Sequence, residues 1–305
     1  MQKIAYTAKK LAVISLIFAA FLNALMGVWV RILSQHFQNF QQIAARAILG
    51  SIIGLVLYSI RHRVHFSKLL RLPKRDLYYL FLRSLSLLAG IGMFTFAITR
   101  ANFSNINMIY ALPSTAILGI LLLKEKMTNL KLSAILIGFL GVIFITVKDF
   151  SHFSAIGIGE FVALISTFFY SLSYITRKYI SKALSNQEIA YFGSFITGIG
   201  ALLISFLLKN PVMNFLTIEW GMGLTIFAAG STFILLGILN NFGFEHIEAI
   251  VANNLLILNS VFGLTIGIVL YKEFPTFIGL VGGGLVIFSA ILINYSDWVV
   301  VKTND

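Results

Sequence analysis

The residue most suited to binding chemistry in this chain is Arg46, which lies inside a long apolar run behind two alanines. A charge within a membrane-spanning segment costs about 2.5–3.5 kcal/mol even on a lenient scale, so we expect it to face a cavity, a partner or the interface. Two interpretations stay open. Arg46 either binds substrate or gates its path, or it snorkels or caps a carbonyl and so holds two helices together.

Amides and tyrosines within the apolar runs form a second set of candidates. Amides donate and accept hydrogen bonds, which suits zwitterionic or hydrogen-bonding ligands. Two aromatics spaced four residues apart share a helix face and can stack on a ring or hold a cation. Alternatively, the amides join neighbouring helices and the tyrosines pack as ordinary aromatics. With Arg46, the candidate substrate-binding residues are Asn23, Asn105, Asn107, Tyr110, Tyr170, Tyr174, Asn240, Asn253 and Asn254.

The other charges near the apolar runs are expected to be structural. Glu125 and Glu273 each follow a lysine at the end of a run, where ion pairs or helix caps are more usual than proton coupling. Glu160 lies at the start of a run, where a carboxylate stabilises the positive end of the helix dipole. Arg83 lies a short way inside its run, so we expect it to snorkel to the interface.

Other kinds of chemistry are not indicated by the sequence. The five histidines fall in or near predicted loops, and none has metal-ligand spacing with another ligand. The chain has no cysteine, no Gly-rich Lys-Ser/Thr phosphate loop and no Ser-His-Asp arrangement. We therefore expect no enzyme activity, no metal, no cofactor and no drive by ATP.

The elements that position these residues are predicted to be membrane-spanning helices. Apolar residues make up 58% of the 305 and charged residues 11%, which is more apolar surface than a soluble domain of this length can bury. Ten apolar runs have a length suited to spanning helices. Their approximate bounds are 11–32, 39–60, 77–98, 102–123, 131–148, 156–177, 187–208, 219–240, 247–270 and 275–296.

The net charge of +12 is placed in short loops, which argues against a nucleic-acid partner. Positive residues concentrate on the cytoplasmic side of membrane proteins, so we predict that both termini are cytoplasmic. An even number of spans fits that orientation. One predicted cytoplasmic loop holds Arg61, Arg63, Lys68, Arg71, Lys74 and Arg75.

The two halves of the chain repeat one pattern. Lys124-Glu125 recurs 148 residues later as Lys272-Glu273, and other residues keep a similar offset. Each half holds five predicted spans, and because five is odd, the second half enters the membrane upside down. This predicts two inverted five-helix repeats, 1–150 and 151–305, that exchange outward-open and inward-open states around a site near the midplane.

These features resemble the drug/metabolite transporter superfamily and, within it, the EamA-type ten-helix transporters. The resemblance rests on the 5+5 arrangement, on the Lys-Glu ends where that family usually has Gly-Glu, and on Arg46, Pro113 and Gly159-Glu160. In such proteins, segments one, three, four, six, eight and nine surround a central cavity, and segments five and ten are peripheral.

The resemblance implies a secondary transporter that moves a small organic metabolite by alternating access in a bacterial inner membrane. Its substrate is an amino acid, a nucleoside-like compound or an S-adenosylmethionine-like compound. The implied partners are this substrate, the lipid bilayer and a coupling proton, with the chain acting as a monomer or a weak homodimer.

A non-transporting multi-pass membrane protein, such as a structural or lipid-handling partner, is the alternative. It predicts that the polar residues of segments four and nine turn toward neighbouring helices and leave no central cavity. Glycines in segments five and ten indicate close helix contact or a weak dimer seam. They are Gly138, Gly141, Gly279, Gly282, Gly283 and Gly284.

Overall fold

The computed structural model describes residues 2–61, 71–98, 100, 109–110, 112–146, 157–211, 219–272 and 274–302. Every regular element in these ranges is helical, and one turn of 3₁₀ helix, Arg177–Tyr179, follows the sixth helix. The helices are α1 Gln2–Leu33, α2 Asn39–Arg61, α3 Lys74–Ile98, α4 Ser114–Leu123, α5 Asn129–Thr146, α6 Ile158–Thr176, α7 Asn186–Leu207, α8 Trp220–His246, α9 Ala249–Leu256, α10 Asn259–Tyr271 and α11 Phe277–Lys302.

Eight stretches of the described chain are long and apolar enough to cross a membrane, and α4 and α5 are shorter apolar helices. One of the eight, Ala249–Leu270, combines α9 with α10. Large apolar side chains such as Phe206 and Phe227 are exposed on the outer helix faces, as lipid contact requires. The prediction of an all-α, multi-pass membrane protein is confirmed.

The observed helices extend furthest past the predicted runs in α1, α8 and α11. The first helix begins at Gln2, well before the predicted start, and the eighth continues to His246. A run of apolar residues ends at its first polar side chains, whereas backbone hydrogen bonding continues through them. Of the predicted segment 102–123, the structure describes 109–110 and 112–123.

Local sequence explains where several helices begin and end. The start of α7 is a capping box, in which Ser185 Oγ accepts from the N–H of Glu188 at 3.2 Å and Glu188 Oε2 accepts from the N–H of Ser185 at 2.8 Å. Lys124 and Lys272 end α4 and α10 with left-handed φ values of 57° and 56°. That conformation favours glycine, the residue usual here in the resembled family.

The helices pack mainly in pairs. The closest pairs are α2 with α7, α5 with α11, α1 with α8, and α3 with α6, while α4 contacts α6 and α9. Small residues also let α2 approach α8 closely. A Cβ on Gly50 of α2 would lie 2.7 Å from the carbonyl oxygen of Gly230 in α8. These contacts hold α1, α2, α3, α6, α7 and α8 around a central cavity.

Candidate functional site

A cavity of about 100 Å³ lies between α1, α2, α3, α6, α7 and α8, so both halves of the chain line it. Apolar residues such as Leu87, Ile91 and Phe233 form much of its wall. The described lining residues include no aspartate or glutamate. Its polar and charged lining residues are Asn23, Arg46, Arg83, Ser84, Tyr170, Tyr174, Ser194, Asn240 and Asn241.

Arg46 on α2 is buried, with 3% of its surface exposed. Its one hydrogen-bond contact among the described residues joins Nη1 to the thioether sulfur of Met26 at 4.0 Å, and Nε has no partner there. A thioether is a weak acceptor. Within the described chain, the guanidinium therefore neither snorkels nor caps a carbonyl, which were the structural alternatives drawn from the sequence.

Arg83 on α3 is also buried, with 6% exposed, and lines the same cavity. Its guanidinium donates to the carbonyl oxygen of Ser173 on α6. The expectation that Arg83 snorkels is therefore wrong, because α6 covers the side chain. Treating every arginine within a span as a cavity or partner residue, as we did for Arg46, would have found it.

Two tyrosines of α6 form one aromatic side of the cavity. The ring centroids of Tyr170 and Tyr174 are 6.5 Å apart, and Tyr174 stacks on Phe244 at 4.9 Å. Tyr110 is not a lining residue. The centroid of its ring lies 5.8 Å from that of Tyr170 in an edge-to-face arrangement, and its hydroxyl shares a hydrogen bond with Ser166. Tyr110 therefore packs against Tyr170 and helps to hold that ring in place.

The amides divide into two groups. Asn23 and Asn240 line the cavity, and the Oδ1 atom of Asn240 is buried with no partner among the described residues. Asn241, which the sequence reasoning did not select as a candidate, also lines the cavity and donates to the carbonyl oxygen of Asn186 at 3.1 Å. A polar pair at the end of an apolar run was the available signal for both.

The amides of α9 are not cavity-lining residues. Asn254 is 1% exposed and donates through Nδ2 to Ser289 Oγ of α11 at 2.8 Å. Ser289 Oγ in turn donates to the carbonyl oxygen of Ala134 in α5 at 2.7 Å, so Asn254 belongs to a three-helix contact. Asn253 is half-buried. Asn105 and Asn107 lie outside the described residues.

A cluster of polar residues adjoins one end of the cavity and joins α6, α7 and α8. Arg177 Nη2 lies 2.8 Å from Glu245 Oε2, and its Nε donates to Asn186 Oδ1 at 2.8 Å. Asn186 Nδ2 donates to Glu245 Oε2 at 2.6 Å. On its other side the cluster borders a second hollow of about 480 Å³. We call Arg177, Asn186 and Glu245 the end cluster.

Glu125 lies at the same end of the bundle and connects the end of α4 to the start of α9 and to Lys178. Its carboxylate accepts from the backbone N–H groups of Ala249 and Ile250 at 2.8 and 3.1 Å, and Lys178 Nζ lies 2.9 Å away. The expected role as a cap and ion pair is confirmed for Glu125, which is an N-terminal cap of α9. Glu273 lies outside the described residues.

A cavity between packed membrane helices, with an apolar wall and a few polar side chains contributed by both halves of the chain, is typical of the helical membrane transporters. The EamA-like transporter family matches this chain twice, over residues 10–147 and 157–295, and the chain belongs to that family. The predicted membership of the drug/metabolite transporter superfamily is thereby confirmed.

Individual relatives agree with this assignment. An uncharacterized transporter of Methanothermobacter thermautotrophicus is 25% identical over 213 residues, which cover 68% of this chain and 59% of that protein. The matched region is therefore less than two thirds of that relative's length. A crystal structure of another protein has a TM-score of 0.77 over 94% of this chain and 96% of its own, at 14% identity. That likeness concerns the fold alone.

Proposed function

We propose that this chain is a secondary transporter that carries a small organic metabolite across a bacterial inner membrane by alternating access. The observation that carries the proposal is a buried cavity whose polar lining comes from both halves. Asn23 and Arg46 belong to the first half, and Tyr170 and Asn240 to the second. Rocking one half against the other would open such a cavity first to one side and then to the other.

Helix packing supports the two inverted five-helix repeats, with a division near residue 150. The repeat mates α2 and α7 run antiparallel where they touch, because Gly54 lies against Tyr191 whereas Ile48 lies against Gly198. Antiparallel mates are what a twofold axis in the membrane plane produces. The contact of α1 with α8 likewise corresponds, mate for mate, to that of α6 with α3.

In this proposal the end cluster is the gate at the cytoplasmic end. It joins the end of α6, the start of α7 and the end of α8, which are cytoplasmic in the orientation inferred from loop charge. The bond between Arg177 and Glu245 must break for α6 and α8 to separate. Cytoplasmic termini, a coupling proton and a monomeric or weakly dimeric state belong to the same proposal.

The non-transporting alternative has less support. It predicts that polar residues turn toward neighbouring helices, as Asn254 does, but it also predicts that no central cavity exists. The cavity beside Arg46 counts against it. Transport is therefore the one function that we propose.

Uptake from a mixed metabolite extract into proteoliposomes tests the proposal, with and without a proton gradient and with mass spectrometry as the readout. Empty liposomes and an Arg46→Ala variant are the controls. Selective accumulation of one class of compound is the expected result, and its dependence on the gradient reports coupling. Folded protein that accumulates nothing selectively under either condition contradicts transport.

A further inference from the structure

We infer that the substrate is a small organic anion, whose carboxylate or other oxyanion group binds Arg46 while Arg83 supplies a second positive charge. The inference rests on the proposed function, because it names the class of substrate for that same cavity. It replaces the three substrate classes considered from the sequence with one class, compounds that carry a net negative charge.

Arg46 is a buried cation whose hydrogen bonding within the described protein is incomplete. Its guanidinium stays protonated in proteins and carries five N–H donors. A buried charge is costly unless it is paired and hydrogen-bonded, yet the side chain is 3% exposed and the described protein gives it a weak thioether contact. Arg46 lines the cavity and its Nε has no partner among the described residues, so an acceptor that occupies the cavity can add to its hydrogen bonding.

The two arginines of the cavity differ from other buried cations of the same chain. Three other buried or half-buried cations are paired with carboxylates: Arg177 with Glu245, Lys178 with Glu125, and Lys131 with Glu248. Arg46 and Arg83 have no such carboxylate among the described residues, although a neutral carbonyl accepts from Arg83. Carboxylates thus neutralise these three cations outside the cavity, whereas the two arginines in the cavity are left for another anion.

The cavity also suits a small carboxylate in its chemistry and its volume. A guanidinium fork binds carboxylate or phosphate oxygens in pairs. About 100 Å³ admits a small molecule, and Ile91 and Phe233 offer apolar wall to its carbon skeleton. A compound with net positive charge meets two like charges there, and an uncharged compound leaves Arg46 without a counter-charge. A zwitterion brings one negative charge to two arginines together with a positive charge of its own.

The test separates a metabolite extract by anion exchange at pH 7 into a retained, anionic fraction and an unretained, neutral and cationic fraction. Each is added to purified protein in detergent, and the shift in melting temperature is measured for wild type, Arg46→Gln and Arg71→Gln. Arg71 is an exposed arginine before α3 and serves as the matched control.

The anionic fraction should raise the melting temperature of wild type and of Arg71→Gln, and the unretained fraction should not. Mass spectrometry of the bound compound then distinguishes a carboxylate from a phosphate. Arg46→Gln should weaken binding on the order of 30-fold or more, the loss typical of removing one partner of a buried charge pair. If Arg46→Gln does not fold, Arg46→Lys should still bind the compound, more weakly than wild type.

A shift from the unretained fraction, a shift from neither fraction, or an unchanged shift in Arg46→Gln overturns the inference. The melting assay measures binding without transport, so the two failures are distinguishable. Anion binding through Arg46 without uptake contradicts the proposed function and leaves the inference standing. Selective uptake of a neutral or cationic compound, without stabilisation by anions, supports the proposed function and overturns the inference.

Discussion

Two buried asparagines have opposite surroundings. Asn254 bridges to Ser289 between α9 and α11, whereas Asn240 lines the cavity with an Oδ1 atom that has no partner among the described residues. Hydrogen bonds between membrane helices contribute about 0.6 kcal/mol on average and up to about 1.7 kcal/mol. The first amide therefore acts on stability, and the second is available to a ligand.

Asn254→Ala should accordingly lower the free energy of unfolding by about 1 kcal/mol and leave the substrate affinity of the folded protein close to wild type. Asn240→Ala should leave the melting temperature close to wild type and reduce uptake. Thermal melting in detergent and proteoliposome uptake, measured on the same preparations, check the pair. The reverse assignment of effects would refute the roles given to these amides.

Residue types predict which side chains are candidates, but not which of them face the cavity. Arg46, Tyr170 and Asn240 were found because charge and hydrogen-bonding groups are unusual in apolar runs. Ser194 and Asn241 also line the cavity but were not among the candidates, because the rotation of each helix about its axis decides which side chains face the cavity. In a membrane, lipid-facing and packed helix faces are both apolar, so the hydrophobic pattern does not report that rotation.

At the scale of single elements, the ends of α4 and α10 carry lysines in a left-handed conformation. This conformation costs a non-glycine residue about 1–2 kcal/mol. Lys124→Gly should therefore stabilise the protein by about 1 kcal/mol. Lys126→Gly, in the same exposed loop without a positive φ, is the control and should not stabilise. Chemical denaturation compares the two, and equal effects would argue against a strained cap.

The contact of α5 with α11 gives a second element-level prediction. A Cβ on Gly282 would lie 2.5 Å from the carbonyl oxygen of Gly141 and 2.7 Å from Phe144 Cβ. Gly282→Ala should therefore destabilise the protein by about 1–3 kcal/mol through overpacking. Gly283, the next residue, has open space at its Cβ position, so Gly283→Ala should be neutral or slightly stabilising. Similar melting temperatures for both variants would contradict the tight contact.

Segment lengths and glycine spacing were enough to predict most of the helices and the close packing of α5 with α11. The continuation of α8 to His246 was not predicted, because its last turns carry Asn240 and Asn241 in place of apolar residues. The same polar turns bring α8 into contact with the cavity and the end cluster. The length of an apolar run therefore predicts a helix end least accurately where the membrane helix carries functional groups.

At the scale of the whole molecule, the proposed inverted repeats determine on which side of the membrane each loop lies. Reporters fused within residues 61–76 and 209–218 should report opposite sides of the membrane, because α2 and α7, which lead into them, are antiparallel. The repeat itself was visible in the sequence through Lys124-Glu125 and Lys272-Glu273. The end cluster was not visible, because tertiary packing brings Arg177, Asn186 and Glu245 together.

Alternating access can be measured directly because the chain has no cysteine. Ser194 lines the cavity and is 5% exposed, so Ser194→Cys places one thiol there. Ser59→Cys, at the exposed end of α2, is the control for sidedness. A membrane-impermeant thiol reagent is then added from either face of oriented membranes.

Alternating access predicts that the cavity thiol reacts from both faces, while the control thiol reacts from the cytoplasmic face alone. Glu245→Gln, which weakens the end cluster, should raise the rate at the cavity thiol from the cytoplasmic face and lower it from the opposite face. Reaction of the cavity thiol from a single face, in both backgrounds, would contradict alternating access.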